Sequence, residues 1–237
     1  NTRKRFVSSH EQSVRLFKQV GVDTPSIERY IANGLDLIYL TSAFEQIEDE
    51  GLEPEFVFYP VMPLWPKINN LISSNLLIVN NKTAPDGDVR LLAIEDVWQY
   101  DRQIFQQEKA SVVNNPNAHY VEKDGSIWVA SVISGTKHSQ YLNQTLQESL
   151  NLIQIKDPRS NHAGLSQLVT LIALSLQAGK SSIGMVACTW TGQTFTDNEG
   201  NARAVCASCD LGHDVFVDST GIDFRDYLIG ARRSAIG

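Results

Sequence analysis

Two periods organise the apolar positions of this chain. After Ser9-His10-Glu11-Gln12, a capping-box signal, Val14, Leu16, Phe17 and Val20 recur at helical spacing and predict a helix. Gly21-Val22-Asp23 turns the chain, Thr24 can cap a second helix with Pro25 at its first position, and Asn33-Gly34 closes it. Residues 1–8, with Arg3-Lys4-Arg5, read as a solvated tail. From 35 to 40, LDLIYL opens either a strand or a helix that runs through Phe44 and Ile47.

Strand signals then take over. FVFYPVMPLWP at 56–66 predicts a short strand leading into a rigid extended segment, because Pro60, Pro63 and Pro66 forbid a longer one. Leu76–Asn80 with Val89–Ile94, and Tyr120-Val121 with Ile127–Ile133, read as hairpins. Ile183–Phe195, Asn201–Cys206 and His213–Val217 read as a hairpin and a third strand, separated by turn residues at 197–200 and 210–212. If Asn198-Glu199 form the tip, Cys188 lies opposite Cys209; a longer loop shifts the pairing and flips the faces.

Further helices are expected from Glu95 through Gln107, from Ser134 or Thr136 through Leu150, over Ala163–Ala178, and over Asp223–Ala235 with Arg232-Arg233 at its C-terminal dipole. Leu152–Lys156 reads as a short strand. Helices interspersed with hairpins predict an α+β fold, a mainly antiparallel sheet with helices packed on it; a three-layer α/β fold is the alternative. The expected organisation is one globular domain over residues 1–237, with a helical hairpin at 1–34 and a β-meander at 181–219.

Composition narrows the function classes. The chain has 237 residues, enough for a substantial core, and its 42% hydrophobic and 20% charged residues exclude wholesale disorder. A formal charge of −7 argues against a broad nucleic-acid or membrane surface, and no apolar run is long enough to span a bilayer. Three cysteines in this length do not make a disulfide framework, so a soluble, acidic, cytoplasmic protein is expected. The chain opens with Asn1, and targeting is not read from it.

Candidate chemistry gathers between 181 and 219, which holds every cysteine. Cys188, Cys206, Cys209 and His213 supply the four ligands of a tetrahedral zinc site, the one cofactor the sequence suggests. Reduced packing cysteines, or a Cys188–Cys209 or other disulfide, are the competing readings. Cys188 or Cys209 with His213 as base and Asp214 or Asp218 as orienter would make a thiol hydrolase. Tyr59, Met62 and Trp65 can line a pocket for a small molecule or a partner surface. LFKQVGVDTPSIERYI resembles a helix-turn-helix, which would present Ser26, Arg29 and Tyr30 to a major groove, although Phe17 stands where that motif has a small residue. The leading expectation is a ligand- or metal-binding protein; the hydrolase and a DNA-binding regulator acting through 12–33 are the alternatives.

Overall fold

The computed structural model describes residues 1–61, 91–93, 97, 100–135, 139–179, 188–209 and 215–237. The helices are α1 (Thr2–Lys18), α2 (Ile27–Ala32), α3 (Leu37–Asp49), α4 (Asp101–Val113), α5 (Leu146–Lys156) and α6 (Leu165–Gln177). The strands are β1 (Pro54–Pro60), β2 (Leu91–Ala93), β3 (Val121–Lys123), β4 (Ser126–Ser134) and β5 (Asn161–His162), then β6 (Cys188–Thr196), β7 (Ala202–Cys209), β8 (Val215–Gly221), β9 (Ile229–Gly230) and β10 (Arg233–Ile236). The architecture is α+β with mostly antiparallel sheets.

One sheet runs β1-β4-β10-β5, with β3 also paired to β4. The β3–β4 hairpin forms where expected, its turn made by Asp124 and Gly125, both at positive φ. Along β1, Phe56 and Phe58 share one face, where Phe6 of α1 meets both edge-on and Phe44 of α3 stacks on Phe56. Val57 and Tyr59 point the other way, toward α6. The second sheet runs β2-β8-β7-β6-β9, with β2–β8 and β6–β9 parallel. α6 touches β1 on one side and β6 and β7 on the other, so it lies between the sheets. Its sequence, LSQLVTLIALSLQ, is strongly apolar, and its polar members Ser166, Gln167, Thr170 and Ser175 are buried too, as a helix wrapped by core requires.

Several elements differ from expectation for identifiable reasons. α1 starts at Thr2, and Ser9 lies inside it, because Phe6, His10, Ser13 and Phe17 extend the buried stripe one turn earlier. Ser26, not Thr24, caps α2 by accepting from the Arg29 N–H. Residues 35–40 enter a helix, capped by Asp36 through the Tyr39 N–H at 2.9 Å. α4 extends past Gln107 to Val113.

Ser134 ends β4, and the next helix begins at Thr145, whose capping box with Glu148 has both hydrogen bonds. α5 therefore carries 152–156 as helix, not strand. The hairpin partner expected at Leu76–Asn80 lies outside the described residues.

The C-terminal helix over 223–235 is replaced by β9 and β10. β10 fills the slot between β4 and β5, and both arginines are buried there. Arg233 meets Asp157, Glu50, Gln46 and Ser160. Arg232 donates to the Ser134 carbonyl at 2.9 Å, and burial lowers its pKa to about 9. Fixed partners for two buried guanidinium groups outweigh the dipole that an exposed helix end would offer. Among the described residues, no helix is long and apolar enough to cross a membrane.

Phe6 tests the first turn of α1. Phe6→Ala should lower the unfolding free energy by about 3 kcal/mol in a denaturant titration, the value for emptying a buried aromatic site. A change within about 0.5 kcal/mol would mean that residues 1–8 are a tail after all.

Candidate functional site

A helix that begins inside a protein exposes its first N–H groups to apolar surroundings, and they need acceptors. α6 begins in this way. Residue 164, just before it, is glycine and offers no side chain. The Leu165 N–H is taken by Gln193 Oε1 at 2.9 Å, and the Ser166 N–H by Glu108 Oε1 at 2.9 Å. Ser166 Oγ also donates to Glu108 Oε2 at 2.8 Å, and the Gln167 N–H donates to the same carboxyl. A remote carboxylate thus caps the helix. Gly164 is required because a Cβ there would stand 2.4 Å from Glu108 Oε1.

Glu108 reaches this point because α4 is strapped to β6. Gln107 donates to Thr194 Oγ1 at 3.0 Å and accepts from the Thr194 N–H, while Gln103 accepts from the Thr196 N–H at 3.3 Å. Tyr100 stacks on Phe195, and its hydroxyl accepts from the Asn198 N–H. Between Trp190 and Thr194 the β6–β7 register shifts, with Gly192 at φ +75°. That bulge brings Thr191 and Gln193 toward α6, and a Cβ on Gly192 would meet His162 Cβ at 2.9 Å.

These groups line a cleft of about 350 Å³. Its floor holds Glu108, Gln167, Thr191 and Gln193, all buried, and its rim carries Ser111, Asn114, Asn115 and Asn117. Tyr59 and His162 form walls. A larger groove, about 590 Å³, lies among α1, α3, β1 and α6, but its polar lining (Arg5, Ser8, Glu48, Glu53) is exposed. Buried, convergent polar groups make the smaller cleft the candidate site.

Two titratable groups in the cleft are displaced in opposite directions. Burial pushes Glu108 up to about 7, even though the Ser166 and Gln167 donors favour its charged form. Burial pushes His162 down to about 4, so its ring is neutral near pH 7. His162 Nε2 lies 2.7 Å from Ser149 Oγ, and that hydroxyl donates to the Leu146 carbonyl at 2.9 Å. With that proton on the Leu146 carbonyl, Nε2 donates to Ser149 Oγ and Nδ1 is the basic nitrogen; with the proton turned to Nε2, the two nitrogens exchange roles. Gln167 donates to Ser131 Oγ and accepts from Ser234 Oγ, both at 2.8 Å.

The residues singled out from sequence are only partly brought together. Tyr59 lies in the cleft wall, while Met62 and Trp65 lie outside the described residues, as do His213 and Asp214. Trp190 pairs with Cys206 and Thr189 with Ala207, so Cys188 faces Ser208 and not Cys209. Cys188 and Cys206 pack on the face that holds Trp190, Ile153 and Ile229, whereas Cys209 belongs to the core on the opposite face. The thiols proposed for zinc are thus divided between two faces. No cluster of three or more metal-ligating side chains occurs among the described residues.

Asp218 pairs with Cys206, and its charge works against thiolate formation at Cys206 and Cys188. In the helix-turn-helix-like unit, Phe17 packs on Trp128, Ser26 is used as a cap, Tyr30 is buried and Arg29 donates to the Glu122 carbonyl.

Glu108, His162 and Gln193 belong to no motif and were not singled out. The available signal was indirect: a glycine immediately before a strongly apolar helix, where Ser, Asn or Asp would supply a local cap. The chain matches no family model, and no curated protein or solved structure matches it.

The two displaced groups oppose each other in pH linkage. Glu108 binds its proton more tightly folded than unfolded, so its contribution is full below its ordinary value of 4.5 and is lost as pH rises through about 7. His162 does the reverse: its contribution is full above 6.5 and is lost as pH falls toward about 4. Each effect is on the order of 3 kcal/mol. Glu108→Gln should therefore lose stability as pH drops from 7 to 5, while His162→Gln should gain it, with the wild type nearly flat. Denaturant titrations at pH 5, 6 and 7 check this; parallel profiles for the two variants would refute the assignment.

Proposed function

We propose that this protein is a soluble binding module for a small polar molecule, and that the cleft at the start of α6 is its site. The observation that carries the reading is one buried carboxyl, Glu108, poised near 7 at the floor of an open cleft whose other lining groups are mostly amides and hydroxyls. Both carboxyl oxygens already accept from α6, so Glu108 serves a ligand as a fixed dipole or a proton-linked acceptor. Nδ1 of neutral His162 adds a further polar contact, and the rim asparagines supply donors and acceptors together. Such a lining suits uncharged hydroxyl- or amide-bearing molecules better than strongly charged ones.

Thermal melts against panels of sugars, free amino acids, nucleosides and small carboxylates at pH 6 and pH 8 test the proposal. One class should raise the midpoint by about 5–10 °C at a concentration of roughly 100 times its Kd. Ser111→Trp, which plants an indole at the exposed rim, should abolish the shift without lowering the unliganded midpoint. The reading fails if no class shifts the midpoint, or if a shift survives Ser111→Trp unchanged.

A further inference from the structure

Cys188 and Cys206 form a second chemical feature, on the opposite face of the second sheet from α6. They occupy neighbouring strands, two residues out of direct register, and their side chains share one face. Each thiol is the largest influence on the other's proton affinity. Cys206 is buried against Trp190 and Ile229, whereas Cys188 is half-buried at the start of β6. One thiol is thus partly exposed, and its partner on the same face is sheltered.

We propose that Cys188 and Cys206 are a reversible oxidation site, in which a hydroperoxide attacks Cys188 and Cys206 closes the pair to a disulfide. The polarity of the thiol pair suits those roles. The Cys206 S–H and the Ser208 hydroxyl donate to Cys188 and bring it down to about 7, against the effect of burial and of the Asp218 and Asp226 charges. Cys206 is held well above its ordinary value, first by that bond and then by burial, so it stays protonated until it is needed.

In the first step the Cys188 thiolate attacks the distal oxygen of the hydroperoxide. The S–O bond forms, the O–O bond breaks, and hydroxide or alkoxide leaves and takes up a proton. In the second step Cys206 loses its proton to the departing hydroxide and attacks Cys188 sulfur. The S–S bond forms, the S–O bond breaks, and water leaves. Two thiols are oxidised and one peroxide is reduced.

Diagonal positions on antiparallel strands stand about 7–8 Å apart, beyond the usual span between bridged cysteine α-carbons. The offset runs along the strands, so closing the bond must slide β6 against β7, and mild dithiols should reopen it. Cys209, on the opposite face, takes no part.

The test starts from the fully reduced whole chain, exposed to hydrogen peroxide while folded, then alkylated in denaturant and mapped by mass spectrometry. A Cys188–Cys206 cross-linked peptide should appear with the loss of two hydrogens, Cys209 should remain alkylatable, and dithiothreitol should restore every thiol. In Cys206→Ser, the Cys188 sulfenic acid should persist and be trapped by dimedone. Three free thiols after peroxide, a link from Cys188 to Cys209 or to a second chain, or no dimedone adduct in folded Cys206→Ser would overturn the proposal. The wild-type map decides the question even if the variant does not fold.

Discussion

Every helix must place its first N–H groups somewhere, and α6 has to do so between two sheets, away from water. The solution is non-local. Gln193 arrives from the β6 bulge and Glu108 from α4, so the start of one helix binds two otherwise separate segments together. Much of the surrounding geometry follows from this demand. α4 is held along the edge of β6 by Gln103 and Gln107, the bulge turns Gln193 inward, and glycines stand at 164 and 192 where two side chains need the space. The polar cleft is what remains where these pieces meet.

The same arrangement keeps a carboxyl and an imidazole in places that disfavour their charged forms. Each penalty falls on a different side of neutrality, so the core tolerates both without a steep dependence of stability on pH. The cluster at the other end of β5 shows the contrasting solution. There Arg233 is surrounded by Asp157, Glu50, Gln46 and Ser160, and Tyr39 donates to Asp157 at 2.8 Å. Charge is matched there by charge; in the cleft it is avoided, by holding a proton on Glu108 and by keeping one off His162.

Local signals in the sequence translated well into local structure. The Asp124-Gly125 turn, the apolar face of α6 and the strand character of Phe56–Tyr59 are all encoded within a few residues, and each is present. The C-terminal segment failed for the opposite reason: 223–235 has helical periodicity, but a sheet slot and two buried arginines decide its conformation. Thr145-x-x-Glu148 marked the true start of α5 and was overlooked. The candidate site was illegible because its members come from α4, β1, β5, α6 and β6, and no spacing along the chain records that convergence. Even the cysteines illustrate this, since the tip is the longer, three-residue loop with Gly200 at positive φ, and the bulge at Gly192 then shifts the pairing again.

The contact between Gly164 and Glu108 also bears on how this protein can diverge. The carboxyl occupies the volume that a side chain at 164 would fill, and it performs the capping that such a side chain would perform. Two solutions are thus interchangeable: a remote acid with a glycine, or a local Ser, Asp or Asn with something shorter at 108. Passing between them requires both changes, because each alone leaves either a clash or uncapped amides. Positions 164 and 108 should therefore be inherited as a pair, and descendants that adopt the local cap would lose the acid from the cleft.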